Sequence, residues 1–312
     1  MSDKKQKLIV VAGPTAAGKS EAAVELARRI GGEIISADSM QVYRYMDIGS
    51  AKITKEEMMG IPHHLIDVAE PKDAFDVVRY ASLAKEAIRD IASRGRTPIL
   101  CGGTGFYIQA VTRDIDFTKT GAREDKRAEL FSFAEKNGNE ALHERLAALD
   151  PDSARSIHPN NVKRVIRAIE YFEETGQGIS AHNEEEKQKE SPYDLFYFVI
   201  SMDRAKLYER IERRVDFMMD EGLCDEVLYL KAMGLDRKDI SMQGLGYKEM
   251  LDCLDGKTTL EEAVRIIKRD TRHFAKRQIT WFKREKDAVW LDRADFGDDP
   301  VRLAEYMKER IG

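Results

Sequence analysis

The chain has 312 residues, 42% of them hydrophobic and 34% charged, with a formal net charge of −5. This composition supplies a real core and excludes a disordered or collagen-like chain, and the length suggests about two domains or one domain with an insertion. No apolar run approaches the ~20 residues of a membrane helix, and the charged N-terminus leads into an apolar run too short for a signal peptide, so a soluble, cytoplasmic protein with no membrane partner is expected.

Residues 7–12 read as a continuously apolar, buried strand, and a Gly-rich turn then leads into a helix over 20–30 that Gly31 and Gly32 stop. Strands are expected at 33–36, 64–67 and 97–101, with a helix over 75–94 before the last of these. Residues 119–188 carry helical periodicity, with turn signals at Asn137-Gly138, Asp150-Pro151 and Thr175-Gly176. A strand returns at 193–201, long helices follow at 206–233 and 260–286, and 288–291 looks like a last strand. The expected class is α/β: a P-loop NTPase-like core with a parallel sheet, from residues 1–117 and 193–312, interrupted by an all-helical insertion over 118–192. Cys101, Cys224 and Cys253 are widely spaced and form no CxxC pair, so neither a disulfide framework nor a cysteine zinc site is supported. The adjacent His63 and His64 lack further ligands at metal-binding spacing.

Gly13-Pro14-Thr15-Ala16-Ala17-Gly18-Lys19-Ser20 fits G-x-x-x-x-G-K-[ST] between a strand and a helix. Its backbone N–H groups and the helix N-terminus would cradle a di- or triphosphate, Lys19 would reach the outer phosphate, and the Ser20 hydroxyl could hold Mg²⁺. ATP and GTP are the usual occupants of such a loop. The strand at 97–101 lacks the metal-holding Asp of common P-loop enzymes, which leaves Asp38 and Asp67 as candidates at strand ends.

Several further runs, in order, extend the pattern: DSMQVYRYMDIGSAK at 38–52, IPHHLID at 61–67 and GGTGFY at 102–107. HPNNVKRVIRAIE at 158–170, YERIERRVDFMMDEG at 208–222, QGLGYKE at 243–249 and TRHFAKRQITWF at 271–282 complete it. With the P-loop, this set resembles the bacterial tRNA dimethylallyltransferases (tRNA isopentenyltransferases) across nearly the whole chain. The resemblance implies transfer of a dimethylallyl group from dimethylallyl diphosphate to the exocyclic amine of an adenosine in tRNA. The target would be the adenosine immediately 3′ of the anticodon, in tRNAs reading codons that begin with U, with Mg²⁺ as cofactor and diphosphate as leaving group. It further implies Asp38 as general base, Thr104 as a positioning group and Arg214 as a second cation on the diphosphate held by residues 13–20. By the same resemblance Asp38, Ser39, Met40, Gln41 and Thr104 would meet the extruded base. Lys163, Arg164, Arg167, Gln243, Gly244, Gly246, Tyr247 and Lys248 would hold flanking nucleotides. Arg127 would also contact tRNA, and the helical insertion would clamp the anticodon stem-loop.

One signal for RNA is independent of the resemblance. Between residues 263 and 286 nine Lys/Arg face two Asp/Glu. On a helical wheel Arg265, Arg269, Arg272, Lys276 and Lys283 fall on one face, while Ile267, Phe274 and Trp281 lie opposite and should pack inward. Such a basic stripe would track phosphates. Rival readings are a P-loop kinase, an isopentenyltransferase acting on free adenine nucleotides, and a non-catalytic RNA-binding protein with a relic P-loop. Nothing in the sequence demands more than a monomer.

Overall fold

The apolar run Leu8-Ile-Val-Val-Ala12 sits at the centre of the sheet. In the computed structural model, which describes residues 5–115, 124–182 and 189–312, it forms most of β1 (Gln6–Ala12), whose last five residues are buried. The other strands in chain order are β2 (Gly32–Ser36), β3 (His63–His64), β4 (Thr97–Gly102), β5 (Tyr193–Ser201) and β6 (Val289–Asp292). They form one sheet of order β3-β2-β4-β1-β5-β6 in which every pair is parallel. Ala12 lies opposite Gly102 on one side and Val199 on the other, so loops leaving β1 and β4 emerge together at the carboxyl edge. Ligands bind at such an edge, where strand connections diverge to either side.

The helix α1 (Lys19–Ile30) buries Ala22, Ala23, Val24, Leu26 and Ala27 and ends at Gly31. These side chains share a core with Ile9 and Val11 of the sheet and with Leu303, Ala304 and Met307. Each fully buried Leu or Val there contributes about 1.5–3 kcal/mol. The core unit, residues 1–112 and 192–312, also holds α2 (Val77–Ser93) and α3 (Gly105–Thr112). The second unit, residues 113–191, is helical: α4 (Glu124–Asn137), α5 (Asn139–Leu149), α6 (Pro151–Ser156) and α7 (Val162–Thr175) pack around Leu130, Leu142, Leu146, Val165 and Ile169. The insertion boundary expected at residue 118 lies outside the described residues.

The rest of the core unit comprises α8 (Arg204–Asp220), α9 (Leu223–Ala232), α10 (Tyr247–Leu254), α11 (Leu260–Phe282) and α12 (Pro300–Ile311). The single helix expected over 206–233 is two, because Gly222 adopts φ +97°, a left-handed conformation that ends the helical hydrogen bonding. The last long helix stops at Phe282 rather than near 286. The strand expected at 64–67 is confined to His63–His64. Asp67 lies beyond it with φ +56° and is paired with Lys52 at 2.6 Å. Among the described residues no helix is long and apolar enough to cross a membrane.

Candidate active site

The chain leaves β1 through Gly13, at φ +144°, where a Cβ would lie 2.4 Å from the Ile200 carbonyl oxygen. Only glycine passes so close to β5. Pro14, Ala16 and Ala17 are buried, so they can offer a ligand only backbone. Ala16 takes φ +62°, an uncommon conformation for alanine. Its carbonyl accepts from Arg210 Nε at 2.9 Å, and its methyl group packs with Leu207, Ile211 and Ala275 of α8 and α11. Gly18 precedes α1, whose first residues are Lys19 and the exposed Ser20. The Lys19 ammonium donates to the Pro14 carbonyl at 2.7 Å, and burial, with Arg214 adding to it, pulls its pKa from 10.5 down to about 8. A poorly solvated cation with a single carbonyl partner is suited to receive phosphate oxygens.

Four long-range side chains hold this loop, Arg210 through the Ala16 carbonyl and three more. Arg214 Nη1 donates to Thr15 Oγ1 at 3.4 Å, and burial together with Arg210 lowers the Arg214 pKa. Arg210 and Arg214 lie one helical turn apart on α8, so both face the loop. The buried Arg293 donates to the Ala17 carbonyl at 3.4 Å and pairs with Glu21 at 3.2 Å. Gln278, on α11, accepts from the Thr15 N–H at 2.8 Å.

Beyond β2, Asp38 closes its own turn. Its Oδ1 accepts from the N–H groups of Met40 at 2.8 Å and Gln41 at 3.4 Å, while among the described residues Oδ2 receives no hydrogen bond from the protein. The Asp38 turn is tied to the loop after β4: Thr104 Oγ1 accepts from the Ser39 N–H at 3.2 Å, and the Thr104 N–H donates to Ala37 at 3.1 Å. Gln41 bridges Ser36 and the Ala51 carbonyl. One cavity of ≈ 160 Å³ is lined by Thr15, Lys19, Ser20, Asp38, Arg214 and Phe274, among others. The cradle, the second cation and Asp38 therefore line the same space.

A family model described as IPP transferase matches residues 41–285. The chain belongs to this family. It is 56% identical over 303 residues to a tRNA dimethylallyltransferase of Lachnoclostridium phytofermentans, covering 97% of each chain. Among solved structures it resembles the full-length tRNA isopentenylpyrophosphate transferase of Bacillus halodurans, with TM-score 0.74, 46% identity, and 98% and 96% of the two chains covered. It also resembles a eukaryotic dimethylallyltransferase acting on tRNA, with TM-score 0.82, 30% identity, and 96% of this chain and 77% of that one covered. The parallel sheet and P-loop core are thus those of an IPP transferase.

The remaining expected contacts of this IPP transferase divide sharply. Gly244 lies against the Met40 side chain, which brings the 243–248 segment to the Asp38 turn; Gln243 is exposed and Lys248 half-buried. Tyr247 is fully buried, and its hydroxyl donates to Glu226 Oε1 at 2.8 Å. Gly246 is buried beside it, and Tyr247 braces the loop at Gly49, which lies beneath its ring. In the helical unit Lys163 and Arg164 are exposed in the first turn of α7, with Arg167 half-buried one turn on. Arg127 holds Glu170 through two hydrogen bonds of 3.0 and 2.7 Å. On α11, Ile267 is buried, Trp281 packs beside Gly105 and Phe106, and Phe274 reaches the cavity. Of the five stripe cations, Arg265, Arg269 and Arg272 pair with Glu262, Asp270 and Glu212, while Lys276 and Lys283 are exposed.

Sequence reasoning missed Arg210, Gln278 and Arg293. Arg210 carried a signal, since it stands four residues before Arg214 on a predicted helix. Gln278 stands inside the 271–282 run, but nothing there sets it apart from its neighbours, and Arg293 lies beyond every motif.

Proposed function

We propose that this chain transfers a dimethylallyl group from dimethylallyl diphosphate to the N6 amine of the adenosine 3′-adjacent to the anticodon, in tRNAs reading codons that begin with U. The observation that carries the reading is the one cavity lined by the P-loop cradle, Arg214 and Asp38, whose Oδ2 receives no hydrogen bond among the described residues. An adenine amine is a weak nucleophile because its lone pair is delocalised into the ring. Asp38 Oδ2 orients it and takes its proton as nitrogen bonds to the allylic carbon and the carbon–oxygen bond to diphosphate breaks. Charge then grows on the departing diphosphate, where Lys19, Arg214 and the loop N–H groups neutralise it. Thr104 holds the Asp38 turn through Ser39.

Mg²⁺ suits the oxygen chemistry of this site. Among the described residues no group of three or more His, Cys, Asp or Glu could hold a metal. Mg²⁺ would instead take the Ser20 hydroxyl, substrate phosphate oxygens and water, and it would add positive charge where the leaving group needs it. The exposed Lys276 and Lys283, with Gln243 and Lys248, offer contacts for RNA next to the cavity-bearing core, and Lys163, Arg164, Arg167 and Arg127 offer them on the helical unit. The enzyme acts as a cytoplasmic monomer in this reading. Incubation with unmodified tRNA, Mg²⁺ and labelled dimethylallyl diphosphate tests it. Label on tRNA is the expected outcome; label only on AMP, or γ-phosphate transfer from ATP instead, overturns it.

A further inference from the structure

We propose that Gln278 is a positioning residue for the transfer reaction: its buried amide clamps the phosphate cradle to the loop that carries Thr104, fixing the distance between the leaving-group grip and Asp38. The proposal rests on the reading above and adds a role for a residue that touches neither reacting atom in it.

The clamp has two hydrogen bonds of opposite sense. Gln278 Oε1 accepts from the Thr15 N–H at 2.8 Å, and Nε2 donates to the Gly103 carbonyl at 2.9 Å. The partners fix the amide's orientation, since a backbone N–H needs an oxygen and a carbonyl needs an N–H. The residue is 7% exposed, so breaking either bond would strand a buried polar group. Gly103 is shaped to the clamp: a Cβ there would lie 2.2 Å from Gln278 Nε2. The chain of interactions then continues from Gly103 to its neighbour Thr104, from Thr104 to Ser39, and from Ser39 to Asp38. Among the described residues no other side chain hydrogen-bonds both loops. Thr15 is also the residue that Arg214 touches, so the clamp orders the second cation's partner as well.

An amide is the side chain that can do this. Asn is a methylene too short, Met or Leu offers neither bond, and an ionised Glu accepts from Thr15 but repels the Gly103 carbonyl. A neutral Glu regains the donor through its O–H. That difference gives a test a purely packing role would not pass. Transfer to unmodified tRNA is measured for wild type, Gln278→Glu and Gln278→Met across pH, with each variant expressed as a ratio to wild type. The ratio removes the titration of Lys19, Asp38, Cys101, Glu21 and Glu57, which line the same cavity together with Arg214.

Misplacing reacting groups by about 1 Å can cost ~100-fold in rate, so Gln278→Glu is expected to lose about tenfold or more in kcat at pH 8. Its ratio should climb as pH falls, because burial raises the pKa of a carboxyl and the neutral form restores the clamp. Gln278→Met should be low at every pH, and tRNA affinity by filter binding should be unchanged in both. A Gln278→Glu enzyme with wild-type kcat throughout, or one whose ratio does not vary with pH, overturns the proposal. If Gln278→Met fails to fold, the pH course of Gln278→Glu still decides. Wild type inert towards tRNA is a separate result: it refutes the underlying reading and takes this proposal with it.

Discussion

Asp38 lines the cavity, commits one oxygen to its own turn and leaves the other without a hydrogen bond among the described residues. Asp38→Asn keeps the accepting oxygen, and so the turn, but cannot take a proton. It is expected to lower kcat by about 10²–10⁴-fold while tRNA affinity is retained, checked by single-turnover kinetics beside filter binding. Lys19 makes a different prediction. Its protonated form attracts diphosphate, and burial sets the pKa near 8, so the protonated fraction of free enzyme falls as pH rises through that value. The KM for dimethylallyl diphosphate should therefore rise above about pH 8. In Lys19→Met it should be high and flat over the same range, which a kcat/KM profile against pH would read. These two residues were legible in the sequence because each belongs to a short contiguous motif. The roles of Gln278, although it stands in the 271–282 run, and of Arg293 were not, since they reach Thr15 and Ala17 across 263 and 276 residues.

Among the elements, the alternation of strand and helix was plain because a strand buried on both faces leaves an unmistakable apolar run. The break between α8 and α9 was hidden because Gly222 sits inside otherwise continuous helical periodicity, where only its positive φ distinguishes a stop from a tolerated glycine. The short α3 and α10 gave too few turns for a period to show. The break has a use. It lets α9 place Glu226 so that its carboxylate accepts from the N–H groups of Asp47, Ile48 and Gly49 at 2.7, 2.7 and 3.0 Å, and from the Tyr247 hydroxyl. The segment so held continues into Ser50 and Ala51 of the cavity wall. Glu226→Gln replaces charge-assisted bonds with neutral ones and one mismatched donor, and should cost about 2 kcal/mol in urea unfolding.

At the scale of the whole molecule, a chain of net charge −5 is expected to hold a polyanion through a few local cations rather than through its overall field. Among the described residues Lys276 and Lys283 are the stripe cations without an ion pair, whereas three arginines of the same helix already face carboxylates. Replacing both lysines by Ala should flatten the plot of log tRNA affinity against log salt by about 0.7–0.9 for each phosphate no longer neutralised. A slope equal to wild type would remove the stripe from the interface. The same dispersal governs the donor site. Its cradle begins at Gly13, yet the central strand beneath it needs β5, and the loop itself is held by Arg210, Arg214, Gln278 and Arg293. A fragment that ends before Tyr193 would thus keep the phosphate motif without the parts that shape it, and should show no affinity for an allylic diphosphate.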